Sequence, residues 1–167
     1  ITLTPKIIYI DEFAFSDCSS LKSIALPAGL EMLDKSCFLG CSSLASVTFG
    51  NVTEIREKGF YGCKALTNVV LPATLTKLDK AAFDGCSSLT EITLPKKLKT
   101  LGEAVFEGCT ALKAINVAEG NASFASADGV LFNKAKTNLL AFPAGKTGAY
   151  AVPSGTEEIA ASAFSRC

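Results

Sequence analysis

Cys18, Cys41, Cys63, Cys86 and Cys109 follow one another at intervals of 23, 22, 23 and 23 residues. Each carries the same apolar frame. Phe stands three residues before it (Phe15, Phe38, Phe60, Phe83, Phe106) and Leu three after it (Leu21, Leu44, Leu66, Leu89, Leu112). A β-branched residue follows at six (Ile24, Val47, Val69, Ile92, Ile115) and a further apolar residue at eight (Leu26, Phe49, Leu71, Leu94, Val117). A fixed period of this length means that each repeat is one coil of a solenoid, unable to cover its own apolar residues until its neighbours stack on it. Phe83 to Pro95 is the clearest copy, reading Phe-x-Gly-Cys-x-x-Leu-x-x-Ile-x-Leu-Pro.

The spacings predict the course of one coil. Ile-x-Leu alternates at period two and so forms a short strand with those side chains turned inward. Pro27, Pro72 and Pro95 follow it in three coils and remove a ladder donor, which ends the strand. The second half of the coil adds Leu30, Val52, Leu75 and Leu98, then Leu33, Ile55, Leu78 and Leu101. Over Leu78 to Gly85, Asp79 is placed to cap a short helical turn that Gly85 closes, with Phe83 aimed into the core. Stacked coils would stand about 4.8 Å apart, laying Phe on Phe and Cys on Cys.

After Val117 the beat stops. It returns at Tyr150, Val152, Pro153, Ile159, Phe164 and Cys167, each 58 residues beyond its counterpart in the preceding coil. The chain therefore reads as one domain: coils over 10–117, an insertion over about 118–149, and a resumed coil over 150–167. Within the insertion, Val130-Leu131-Phe132 and Leu139-Leu140-Ala141-Phe142 flank the polar stretch Asn133 to Thr137, which predicts a β-hairpin preceded by Asp128-Gly129. The start at Ile1 and the stop at Cys167 in mid-coil point to a piece of a longer protein.

Several function classes are disfavoured at once. Sixteen basic residues balance 16 acidic ones, which gives no electrostatic footprint for nucleic acid or an anionic membrane. No run approaches the roughly 18 apolar residues of a membrane helix. The chain has no His, hence neither the commonest general base nor the commonest transition-metal ligand. The seven cysteines invite a zinc or redox reading, but zinc sites use tight Cys-x-x-Cys pairs, whereas these thiols lie a full coil apart. Inward-stacked Cys behaves as a small apolar residue, so the column is read as buried free thiols, and the local pair Cys37 and Cys41 as structural too. A thiol enzyme would need a depressed Cys pKa and a base beside it. Ser19-Ser20-Leu21-Lys22 and Lys146-Thr147-Gly148 mimic β-lactamase motifs, but lack the helix and strand context that chemistry requires. Ala144-Gly145-Lys146-Thr147 lacks the earlier Gly of a phosphate loop, because Leu140 stands there. Asn51-Val52-Thr53 and Asn121-Ala122-Ser123 are sequons that matter only in a secreting eukaryote, and otherwise are turn-forming Asn residues. No catalytic residue, cofactor or metal site is expected.

What remains is a surface. Between the inward strand positions, Ser23 and Ala25, Ser46 and Thr48, Asn68 and Val70, Glu91 and Thr93, and Ala114 and Asn116 face outward. They form two columns of small, mostly uncharged side chains, the kind of sheet face that solenoids use for extended contact. The columns lack the Tyr, Trp and Arg of energetic hot spots. The hairpin around Phe132 to Leu139 is a second candidate contact element.

The repeated coil and the insert Ser126-Ala127-Asp128-Gly129-Val130-Leu131-Phe132-Asn133 resemble the BspA-type leucine-rich repeats of surface proteins from gut and oral bacteria and some protists. Gly50 stands where most coils have Pro, and Cys37 where Ala is usual. The resemblance implies a β-rich leucine-rich-repeat solenoid, a right-handed superhelix with short helical turns on its convex side and one inserted hairpin. It also implies an exported, surface-attached protein with a protein partner such as host extracellular matrix; the charge balance and apolar runs point to no nucleic acid and no membrane span in this segment, and a monomer is expected. Some members act in adhesion, and the family carries no general enzymatic activity. The alternative is a structural spacer that projects other domains from the cell.

Overall fold

The computed structural model describes residues 1–167. The first coil carries strands β1 (Ser23–Ala25) and β2 (Met32–Leu33), the second β3 (Ser46–Thr48) and β4 (Glu54–Ile55), and the third β5 (Asn68–Val69) and β6 (Lys77–Leu78). The fourth carries β7 (Glu91–Leu94) and β8 (Thr100–Leu101), and the fifth opens with β9 (Ala114–Val117). All pair in parallel, each with the equivalent strand one coil away. The first strands pair as β1–β3 and β5–β7–β9, with Ile24 beside Val47 and Ile92 beside Ile115. The second strands form one sheet, β2–β4–β6–β8, running Leu33, Ile55, Leu78, Leu101. The period of the sequence is thus the register of the sheets.

The first column divides between β3 and β5, within the 22-residue repeat. There Gly50 takes the Pro position and lies against the preceding coil. A Cβ at Gly50 would fall 2.5 Å from the Pro27 carbonyl oxygen, so only glycine permits the approach. Phe49 then fills the corner edge-on to Phe60, at 5.8 Å between ring centroids.

The third side of each coil contains no helix, which corrects the expectation of short helical turns. Three overlapping tight turns follow in tandem instead. In the fourth coil Ala82 N–H donates to Asp79 O, Asp84 N–H to Ala81 O and Cys86 N–H to Phe83 O, at 3.2 Å each. The intervening amides point along the stack: Ala81, Phe83 and Gly85 donate to Glu103, Val105 and Glu107 of the next coil at 2.9, 3.0 and 2.7 Å. Positive φ at Ala81 (54°) and Gly85 (73°), each the third residue of its turn, marks the type II geometry. The physical reason is pitch. An α-helix is about 10–12 Å across, whereas sheet neighbours stand about 4.8 Å apart, so helices on successive coils would collide. Asp79 still accepts from the Lys80 amide as a turn would have it.

One continuous core runs through the coils. The rings of Phe15, Phe38, Phe60, Phe83 and Phe106 stack at 5.1, 5.2, 5.3 and 6.3 Å, nearly parallel. Phe38, Phe60 and Phe83 are wholly buried, as are Leu44, Leu66 and Leu89 in the neighbouring column.

The insertion is larger than a single hairpin. β10 (Phe124–Ala127), β11 (Val130–Asn133) and β12 (Asn138–Ala141) form an antiparallel meander, and β12 then pairs in parallel with β13 (Glu158–Ile159) of the resumed coil. Asp128-Gly129, expected merely to precede a strand, is the two-residue turn between β10 and β11. Both residues have positive φ (50° and 73°), as a type I′ turn demands, and Asp-Gly is the pair that best tolerates it. At the second turn Asn133 accepts from the Asn138 amide and donates to Thr137 Oγ1. Val130, Phe132, Leu139 and Ala163 make a small core of their own.

Candidate interaction surface

The thiols are held inside. Cys37, Cys41, Cys63, Cys86 and Cys109 are buried, Cys18 is half-buried and Cys167 exposed, and all seven are free. Each of four Sγ atoms donates back to the carbonyl of the Phe one coil earlier: Cys41 to Phe15 (3.0 Å), Cys63 to Phe38 (3.2 Å), Cys86 to Phe60 (3.2 Å) and Cys109 to Phe83 (3.1 Å). Burial pushes the Cys41 thiol up to about 11 and those of Cys37 and Cys109 to about 12. Cys63 and Cys86 are raised by the same cause. A thiol held protonated at neutral pH is a poor nucleophile and a poor metal ligand.

The other motifs are absorbed into the scaffold. Lys146 pairs with Asp128 at 2.9 Å, and Gly145 N–H donates to Leu112 O, so the Gly-Lys-Thr stretch pins the insertion to the fifth coil. Asn121 is buried and works at both ends of its amide. Its Nδ2 donates to Pro95 O and Leu98 O, while its Oδ1 accepts from the Ser123 and Phe124 amides. An amide so engaged is closed to glycosylation in the folded chain; Asn51, by contrast, is exposed. Near the first coil, buried Asp34 accepts from Tyr9 Oη (2.8 Å), Arg56 (3.1 Å) and the Lys35 amide (2.7 Å). That backbone bond, with help from Tyr9 and Arg56, holds its carboxyl below the usual range despite desolvation.

The outward strand positions lie where the alternation places them. Ser23 stands beside Ser46 and Ala25 beside Thr48. Asn68 stands beside Glu91, Glu91 beside Ala114, and Thr93 beside Asn116. From Ser23 to Thr93 all eight are exposed, and Val70 is 82% exposed, the barest large apolar side chain of the protein. Ala114 and Asn116 are half-buried. The Asp128-Gly129 turn covers that end: Gly129 O accepts from Ile115 N–H at 2.8 Å, and a Cβ on Gly129 would lie 2.9 Å from that of Ala114. The meander therefore closes the face at the fifth coil.

Between β5 and β7 the face dips into an open groove of about 510 Å³, bordered by Asn68, Val70, Glu91 and Thr93 and by Ala73, Lys96 and Ala118 from the loops beyond. Sequence reasoning found the strand residues and missed these last three. They follow the strand-ending prolines or the end of β9, where period-two alternation no longer says which way a side chain turns.

Comparison with known proteins agrees with this geometry. A family model described as "BspA type Leucine rich repeat region" matches in six copies over residues 8–137 and 50–167. A leucine-rich cell surface protein of Faecalibacterium prausnitzii is similar at 25% identity and a TM-score of 0.70, over 95% of this chain and 50% of its own. A leucine-rich-repeat protein of T. pallidum is similar at 29% identity and TM-score 0.67, over 69% of this chain and 56% of its own. The pneumococcal vaccine antigen PcpA is similar at 36% identity and TM-score 0.57, over 87% of this chain and 31% of its own. The chain thus spans between about a third and just over half of these relatives. A search of curated proteins finds no significant match. No helix is long and apolar enough to cross a membrane.

Proposed function

Because the chain belongs to the family of BspA-type leucine-rich repeats, we propose that it is a non-catalytic protein-interaction module of a cell-surface protein, adhering to a host or matrix protein through the outward face of its first strand column. The observation that carries this reading is the bare Val70 set in a groove on a mostly uncharged face that spans four coils, with Glu91 and Lys96 as the charged residues at the groove. An extended partner would lay an apolar side chain against Val70 and exchange hydrogen bonds with Asn68, Glu91 and Thr93. Fully desolvated anchors of this kind carry most of the energy in an interface, and the flanking small residues keep water out. The surface location of the Faecalibacterium relative supports the same placement for the parent of this segment.

The test is capture of the segment by immobilised extracellular matrix, compared with a Val70→Asp/Asn68→Lys variant. The reading expects capture that the double variant loses while its melting curve stays within about 1 kcal/mol of the parent. Equal capture of both would refute the face. A rigid spacer is the second reading, favoured by the unbroken stack of Phe15 to Phe106. It expects no capture at all, with binding mapped elsewhere in the parent protein.

A further inference from the structure

The ladder of turn amides that runs along the stack stops at the fifth coil. At earlier boundaries, three amides spaced two residues apart each find an acceptor in the next coil, as Ala81, Phe83 and Gly85 do. Their counterparts Ala104, Phe106 and Gly108 keep the same positive φ at the first and last positions (54° and 71°) but have no acceptor anywhere in the chain. The reason is the insertion. Beyond Val117 the chain leaves for the meander, and the next Phe turn is met only at Ala163, whose carbonyl accepts from Phe142 N–H at 2.7 Å. Between the two turns lies a cleft of about 330 Å³.

Its walls are apolar: Val105 and Phe106 on the coil side, Phe142 and Ala163 opposite. Its charged lining is acidic, with Glu103, Glu107 and Glu158. Glu107 is engaged by Ser165 Oγ at 2.8 Å and approached by Arg166 at 3.8 Å, and Glu158 accepts from Asn138 Nδ2. Glu103 has only Lys80, at 4.0 Å, and its side chain is open to solvent. Three carboxylates exclude an anion as the natural occupant. An apolar molecule would leave the amides unmet, and an unmet buried donor opposes binding. Donors at two-residue spacing are matched by carbonyls at two-residue spacing, which only an extended backbone supplies.

We propose that this cleft receives one extended strand of a partner polypeptide. Its carbonyls accept from Ala104 and Phe106, the two unmet amides that line the cleft, an apolar side chain enters between Phe106 and Phe142, and flanking Lys or Arg side chains meet Glu103 and Glu158. The cleft lies apart from the Val70 face, so this site stands whether or not that face binds.

Amide hydrogen exchange on the whole 167-residue chain gives the first arm. Ala104 and Phe106 should exchange far faster than Ala81 and Phe83; equal protection in the free protein would overturn the proposal. The second arm adds millimolar blocked peptides with a Val-Thr-Val centre, flanked either by Lys or by Glu, and follows amide shifts by NMR. The Lys-flanked peptide should move the Ala104 and Phe106 resonances and slow their exchange, and the Glu-flanked one should bind about tenfold more weakly. Glu103→Lys, at an exposed position, should narrow that preference, and Ala161→Trp, at the exposed edge of the cleft, should abolish binding. No shift with the Lys-flanked peptide, or undiminished binding to a natively folded Ala161→Trp protein, would overturn it.

Discussion

Phe83 and Phe132 are both wholly buried, yet they are buried in different ways. Phe83 sits in a column of five rings, between Phe60 and Phe106, in surroundings that each neighbouring coil repeats. Phe132 packs with Val130 and Leu139 of the antiparallel meander and Ala163 of the resumed coil, in surroundings found once in the molecule. The coils are held by repetition: parallel ladders, a ring stack and thiols that each tie to the coil before. The meander is held by single devices: a type I′ turn at Asp128-Gly129, the Asn133 turn, and Asn121 fastening the loop before β10 to the fourth coil. A fault in the first region should propagate along the stack, and a fault in the second should stay where it is made.

Truncating the two rings tests this first. Phe83→Ala should cost ~3–5 kcal/mol in denaturant melts and lower the protection of amides in coils on both sides. Phe132→Ala should release the meander while the Phe38 and Phe60 amides stay protected. If both variants melted as one unit, the two regions would not be energetically distinct. Asn121→Ala comes next. It leaves the Ser123 and Phe124 amides and the Pro95 and Leu98 carbonyls short of a partner, a loss of ~2–3 kcal/mol that should loosen β10 before any coil. The smallest effect is a gain. Lys58 holds φ 57° in its turn, and Lys58→Gly should stabilise the stack by ~1 kcal/mol in the same melts. No gain would mean that the turn carries no strain.

What the sequence showed of each region follows from the same contrast. The coil spacing located Phe15 to Phe106, the inward strand residues and the buried thiols, because one period repeated five times leaves no other register. Asp79 and Gly85 look like a helix cap and stop, but the narrow pitch between coils excludes a helix there. The positive-φ sites Phe13, Ser36, Lys58, Ala81 and Ala104 share no side-chain type and so gave no signal. In the insertion, Asp128-Gly129 is a legible turn pair, but without a repeat to set the register it reads equally as the entrance to β11. The eight outward residues from Ser23 to Thr93 are exposed, with Val70 just past the end of β5, but the covering of Ala114 and Asn116 depends on Gly129 arriving from outside the repeat. The acidic cleft beside Phe106 arises where the repeat is interrupted, a place no periodic argument describes.

The central claim is that residues one period apart become neighbours in a single column. Ring-to-ring nuclear Overhauser contacts among Phe38, Phe60 and Phe83 in the native protein test it most directly. The account predicts cross-peaks between Phe38 and Phe60 and between Phe60 and Phe83, consistent with centroid separations of 5.2 and 5.3 Å. Rings that show no mutual contact, or that respond to a solvent relaxation agent, would contradict it.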